Sequence, residues 1–132
     1  MARLTIAPAV LVFMCSLSAA NAADVNCQDV HAAVFMDEPV ELQQLIAHGA
    51  DMECRDAINQ TPLITATDGA SIQSFSILLT RGVNIHARDE IGQTALDKAR
   101  EKLAFFDMKG GETYRRLYQQ MIKMLVASEA AR

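Results

Sequence analysis

Few side chains in this 132-residue chain could do chemistry: it has three histidines, three cysteines and no Trp. The histidines are His31, His48 and His86. His48 stands close enough to Asp51 to be imagined as a general base with a carboxylate to orient it. Turn structure and surface are the plainer role for that pair. There is no Gly-x-Ser-x-Gly, no phosphate-binding glycine loop and no His-Glu-x-x-His, so the chain is read as a non-enzyme. No Cys-x-x-Cys occurs and no His/Cys group has zinc-ligand spacing in the sequence, so neither a metal nor any other cofactor is expected.

The three cysteines divide by context. Cys15 lies in residues 1–22, MARLTIAPAVLVFMCSLSAANA, where 16 residues are apolar and Arg3 is the single charge. A positive start, an apolar middle and a small-residue end at Ala20-Asn21-Ala22 form the three-part plan of a secretory signal peptide, cut after Ala22. The apolar run is shorter than the ~20 residues a spanning helix needs. An uncleaved N-terminal anchor is the alternative. A lipoprotein would need a small residue where Met14 precedes Cys15.

Removing the leader leaves residues 23–132, a net charge of −5 and two cysteines, Cys27 and Cys54. An even cysteine count in an exported chain suggests a disulfide. It would close a loop of about 28 residues, worth roughly 3–4 kcal/mol by chain entropy. The other possibility is two buried thiols that never meet. The composition, 51% apolar and 21% charged, is that of a folded domain and not of a disordered segment. The acidic balance argues against nucleic acid as a partner.

These groups need a scaffold, and the scaffold is repetitive. Gly49-Ala50-Asp51-Met52-Glu53-Cys54-Arg55-Asp56 aligns with Gly82-Val83-Asn84-Ile85-His86-Ala87-Arg88-Asp89 at an offset of 33. The same offset carries Asn59-Gln60-Thr61-Pro62-Leu63 onto Gly92-Gln93-Thr94-Ala95-Leu96, and Leu45-Ile46 onto Leu78-Leu79. Thr61-Pro62 and Thr94-Ala95 read as helix starts, with Thr capping free N–H groups and Pro tolerated in the first turn. Leu63 and Ala66 face one side of a short helix. Ile72, Phe75 and Ile77-Leu78-Leu79 give a second helix, ended by Gly82. Asn59 and Gly92 stand where the chain needs a positive φ. The unit is therefore helix, connection, helix and a finger-like turn.

This pattern resembles the ankyrin repeat family, whose unit is 33 residues long with a Thr-Pro-Leu-His-x-Ala start. TPLITA at 61–66, TALDKA at 94–99, GADMEC at 49–54 and GVNIHA at 82–87 carry the likeness. It covers about residues 28–104. The resemblance implies an all-α ankyrin-repeat solenoid of about three units, near 24–56, 57–89 and 90–132. The first unit is degenerate, reading Gln28-Asp29-Val30-His31-Ala32-Ala33, with His31 on the family's motif histidine. Ile64 and Asp97 replace that histidine in the other two.

The third unit runs on, with Leu96, Ala99, Leu103 and Phe106 at helical spacing up to a break at Lys109-Gly110-Gly111. A longer helix follows over 112–128, with Tyr114, Leu117, Tyr118, Met121, Ile122 and Leu125 along one side. It reads as the extended capping helix that a repeat array needs at its end. The competing reading is a helix for a membrane surface or a partner.

By resemblance, partners bind at the finger tips and inner helices. That face would hold Ala57, Ile58, Gln60, Asp68 and Arg81 from the second unit. The third would add Glu90, Ile91, Gln93, Glu101 and Lys102, and the first Phe35, Met36 and His48. Phe35 and Met36 are read first as core. Ile58 and Ile91 share one tip position and form either an exposed apolar stripe or a contact between neighbouring fingers. Charge is uneven, net −9 over residues 23–97 and +4 over 98–132, which bears on partner selection or on solubility alone.

The expectation is thus an exported protein, located as in a Gram-negative periplasm, monomeric alone, that binds another protein without chemistry on a small molecule. It would support an exported enzyme or stress defence, or neutralise a toxin as an immunity protein. A membrane-associated structural protein, held by an uncleaved leader or by the C-terminal amphipathic helix, is the rival.

Overall fold

A computed structural model describes residues 26–131, so the proposed leader at 1–22 lies outside the described residues. Among the described residues six helices follow in order: α1 Cys27–Phe35, α2 Pro39–Ala47, α3 Pro62–Asp68, α4 Ile72–Thr80, α5 Ala95–Lys109 and α6 Glu112–Ala130. Among the described residues there is no strand. Helix pairs α1–α2, α3–α4 and α5–α6 stack in sequence, and extended fingers join each pair to the next.

Local chemistry sets the helix starts. Asn26 Oδ1 accepts from the Asp29 N–H at 2.9 Å, and Thr61 Oγ1 takes the Ile64 N–H at 3.5 Å. Thr94 and Asp97 form a reciprocal pair, each side chain accepting from the other's backbone N–H, which satisfies two orphan donors of α5. The bond from the Thr94 N–H, with smaller help from the Thr94 hydroxyl, Arg88 and Arg100, holds the Asp97 carboxyl below its ordinary range. Pro39 and Pro62 occupy first turns, where a missing N–H is harmless. The start of α4 is capped from another unit: Asp37 Oδ1 accepts from the Ser74 N–H at 2.8 Å.

α3 is the centre of the array. Pro62, Leu63, Ile64, Thr65, Ala66 and Thr67 are all buried, because α1, α4 and α5 pack around it. Val30 and Val34 of α1, Leu42 of α2 and Phe75 and Leu78 of α4 complete that core. Short helices touching on several sides leave little room for rings, which accounts for 5% aromatic residues. Thr67 Oγ1, which enters the core, is satisfied within its own helix, donating to Leu63 O at 3.0 Å.

Two sequence expectations need correction here. Phe35 and Met36 are not core: they are 52% and 67% exposed. α1 turns Val30, Ala33 and Val34 inward, and its last turn points the next two side chains outward at the edge of the first unit. Phe35 lies beside Gly69, where an added Cβ would come within 3.1 Å of the ring.

The last pair closes the array. Gly110 takes a left-handed φ of 80° and ends α5. A Cβ on Gly111 would lie 2.6 Å from Phe106, so the chain reverses directly against that ring. Phe106 then stacks on Tyr114 and Tyr118, with centroids 4.8 and 5.9 Å away. Tyr118, Met121 and Leu125 of α6 are buried as the helix lies over α4 and α5. This is the capping role, and it occupies the apolar side that a membrane surface would have needed. The helix runs to Ala130, slightly past the expected 128. Among the described residues no helix is long and apolar enough to cross a membrane.

Two outcomes follow from this packing. Phe75→Ala costs about 3–5 kcal/mol, read from urea unfolding, whereas Ser74→Ala, whose Oγ is buried without a hydrogen-bond partner, is neutral or stabilising. Burial, followed by the charge of Asp68, pushes the Tyr118 hydroxyl up to about 12 from 10.0. Above the unfolded value the unfolded chain loses this proton and the folded chain keeps it, so stability falls as pH rises from about 10 to about 12. Chemical unfolding of the wild type and of Tyr118→Phe over that range checks it: the variant has the shallower decline.

Candidate partner-binding surface

The fingers are built twice on one plan. Asp56 Oδ1 accepts from the N–H groups of Ile58 and Gln60, at 3.1 and 2.8 Å. Asp89 Oδ1 accepts from those of Ile91 and Gln93, at 3.1 and 2.9 Å. A backbone pair closes each turn, Asp56 N to Gln60 O and Asp89 N to Gln93 O. The tightness of the turn requires a left-handed residue, Asn59 at φ 61° and Gly92 at φ 82°. These two positions were legible in the sequence. The two aspartates that knot the turns were not singled out, although they recur at the 33-residue offset.

Each knot also faces a cationic or protonatable group. Asp56 Oδ2 lies 3.8 Å from His31 Nδ1, and Asp89 Oδ2 lies 3.8 Å from Lys98 Nζ. The fingers are tied to one another as well. Arg55 Nη1 donates to Arg88 O in the next finger and to Asn59 O at 2.9 Å in its own. Glu53 Oε2 accepts from the Asn84 N–H at 2.9 Å. Tips held by this many bonds lose little freedom on binding, which lowers the entropic cost of docking.

At those tips Ala57, Ile58, Glu90 and Ile91 are all exposed. Ile58 is 51% and Ile91 71% exposed, too open for the two to be consumed by packing on each other. Gln60 departs from its expected place. It is 4% exposed, and its Oε1 lies 3.4 Å from Thr65 Oγ1. The residue that follows a left-handed tip residue turns back toward the core, so Gln60 supports the finger and offers a partner nothing.

The remaining candidates are spread across the array. Asp68, at the end of α3, pairs with Lys102 of α5 at 3.2 Å. Gln93 Nε2 donates to Glu101 Oε2 at 2.6 Å. These two contacts tie the second finger and the first helices of the second and third pairs together. His48 and Arg81 stand exposed at the C-caps of the second helices α2 and α4, where the His48 ring bonds Gln44 O at 2.7 Å. Phe35 and Met36 are available at the edge of the first unit.

Cys27 and Cys54 are joined as a disulfide, with Cα atoms 5.8 Å apart. It fastens the start of α1 to the first finger. Beside it, the ring nitrogens of buried His31 reach Thr65 Oγ1 at 2.7 Å and Cys54 O at 3.0 Å. A backbone carbonyl only accepts, so Nε2 carries the proton and Nδ1 receives the Thr65 hydroxyl. A histidine in the degenerate first unit therefore bonds the finger behind it and the helix of the next unit.

No family model matches the chain. It is 32% identical over 82 residues, 62% of its length, to ADP-ribosylation factor GTPase-activating protein AGD4 of Arabidopsis thaliana. It is 32% identical over 85 residues, 58% of its length, to ankyrin repeat and SOCS box protein 6 of Mus musculus and of Homo sapiens. The match spans 11% of the plant protein and 20% of the mammalian ones. A 33-residue unit repeated without a gap and, among the described residues, three stacked helix pairs with knotted fingers make this an ankyrin-repeat solenoid, similar over that stretch to relatives that include a protein named for its ankyrin repeats.

Proposed function

We propose that this chain is a non-catalytic protein-binding module that works in the periplasm, gripping a partner with its finger tips and the adjoining first helices. The observation that carries this reading is the pair Ile58 and Ile91, exposed at the same position of two cross-tied fingers. Apolar side chains fixed outward at the ends of rigid turns contribute nothing to a core and are suited to fill pockets on a partner. Ala57 and Glu90 flank them on the same tips.

The acidic charge of residues 23–97 favours a partner with a basic surface, through faster encounter and selection against acidic competitors. Two roles suit such a module: support of an exported enzyme, as in stress defence, and neutralisation of a toxin in the manner of an immunity protein. A toxin antagonist would bind one-to-one and very tightly. The GTPase-activating activity in the plant relatives' names belongs to proteins of which the shared stretch is 11%, and we infer no such activity for this chain.

Two experiments test the proposal. Export through a cleaved leader predicts an N-terminus at Ala23 and recovery in the periplasmic fraction; recovery in the membrane pellet alone would sink it. For the surface, Ile58→Asp with Ile91→Asp weakens partner capture roughly tenfold or more, about 1.4 kcal/mol, with far-UV circular dichroism unchanged. Undiminished capture would show that the tips are not the binding surface, and lost helicity that the two residues are structural.

A further inference from the structure

We propose that Cys27, His31 and Cys54 form, when the disulfide is reduced, a binding site for a thiophilic divalent cation of the zinc type. Cys27 and His31 are four residues apart on α1, so both project from one side of the helix. Cys54 comes from the finger between α2 and α3. One ligand atom from each, two Sγ and an imidazole nitrogen, lie within 4.8 Å of one another. Sequence spacing hid the set, because its third member is far along the chain and only the fold brings it in. Two thiolates and one imidazole suit a soft or borderline cation.

The set has an entry path and a supporting shell. It opens on a cleft of about 400 Å³ that Arg55, Asp56 and Ile58 also line, which leaves a fourth position for water or another exchangeable ligand. His31 is 7% exposed, so its ring is held by packing as well as by hydrogen bonds. Thr65 Oγ1 lies 2.7 Å from Nδ1 and Asp56 Oδ2 lies 3.8 Å from it. An acceptor on the outer nitrogen of a ligating histidine is the usual means of fixing the tautomer that frees the inner nitrogen.

The chemistry balances in two steps. A dithiol reductant supplies two electrons and two protons; the Cys27–Cys54 bond breaks, two thiols form, and the dithiol leaves as its own disulfide. The cation then binds both sulfurs as thiolates and releases two protons to solvent. The Nε2 proton of His31 is lost from its bond to Cys54 O while Nδ1 takes up a proton, which Thr65 Oγ1 accepts as a hydrogen bond with Asp56 nearby. The imidazole stays neutral throughout. The sulfurs separate from bonding distance to about 3.8 Å, the edge set by zinc–sulfur bonds of ~2.3 Å in tetrahedral geometry. The disulfide and the metal site are thus alternative states of one pair of cysteines.

The test uses the protein reduced with a thiol-free phosphine and titrated with Co(II), then with Zn(II). One equivalent of Co(II) should give a thiolate-to-cobalt charge-transfer band with tetrahedral d–d bands, and Zn(II) should displace it. The oxidised protein, Cys27→Ser and Cys54→Ser should show no such band. His31→Gln, which keeps an amide donor for Cys54 O, should weaken binding more than tenfold, and Thr65→Val about tenfold. No thiolate–cobalt band in the reduced protein, or one that His31→Gln leaves unaltered, overturns the proposal. Zinc-edge X-ray absorption on the reduced wild type decides the matter if the histidine variant does not fold. Two sulfurs with an imidazole nitrogen support the site, and a shell without imidazole refutes it.

Discussion

The array depends on the covering of α3. A seven-residue helix is far below the length at which a helix is stable alone in water, and here nearly every one of its residues is buried. It exists because α1, α4 and α5 all pack against it. The central unit cannot bury its own first helix and needs both neighbours, which is the defining constraint of a stacked repeat. The deep burial of Leu63, Ile64 and Ala66 is the result, and so is the absence of a separate core for any one unit.

Polar bonds then fix what apolar contact alone would leave free to slide. Asp37 caps α4 from the loop after α1, and Ser71 Oγ donates to Phe35 O at 3.0 Å at the end of α1. His31 joins the first unit to Thr65 of the second, and the arginine and glutamate bonds join finger to finger. These contacts cross unit boundaries and specify direction, which burial does not. A rigid row of finger tips follows from them, with two isoleucines facing solvent at matched positions.

Much of this was legible in the sequence, and the failures have a common cause. The 33-residue offset located the fingers, the capping threonines and the left-handed residues Asn59 and Gly92, because each is set by local backbone chemistry. Gln60 misled: it sits one residue beyond a tip, and the direction of a side chain leaving a tight turn depends on the turn's geometry. Phe35 and Met36 misled because their size suggests core, while exposure there depends on what stands beyond the first unit. Cys27, His31 and Cys54 were invisible as a group, since linear spacing cannot show a contact between a helix and the finger folded against it.

The two ends of the described array are secured by different chemistry. A terminal unit has one neighbour where an internal unit has two, so it needs compensation. At the far end this is apolar: α6 is nineteen residues long and brings Phe106, Tyr114 and Tyr118 into one stack. At the near end the described helices are short, nine residues each, and only Leu42 of α2 is buried. There α1 is held by a covalent bond to the first finger and by the His31 bonds. Because contacts pass only between neighbours, opening that bond loosens α1 and the base of the first finger while the α5–α6 end keeps its packing. The chemistry of Cys27 and Cys54 therefore acts on the half of the array that carries Ile58 more directly than on the half that carries Ile91.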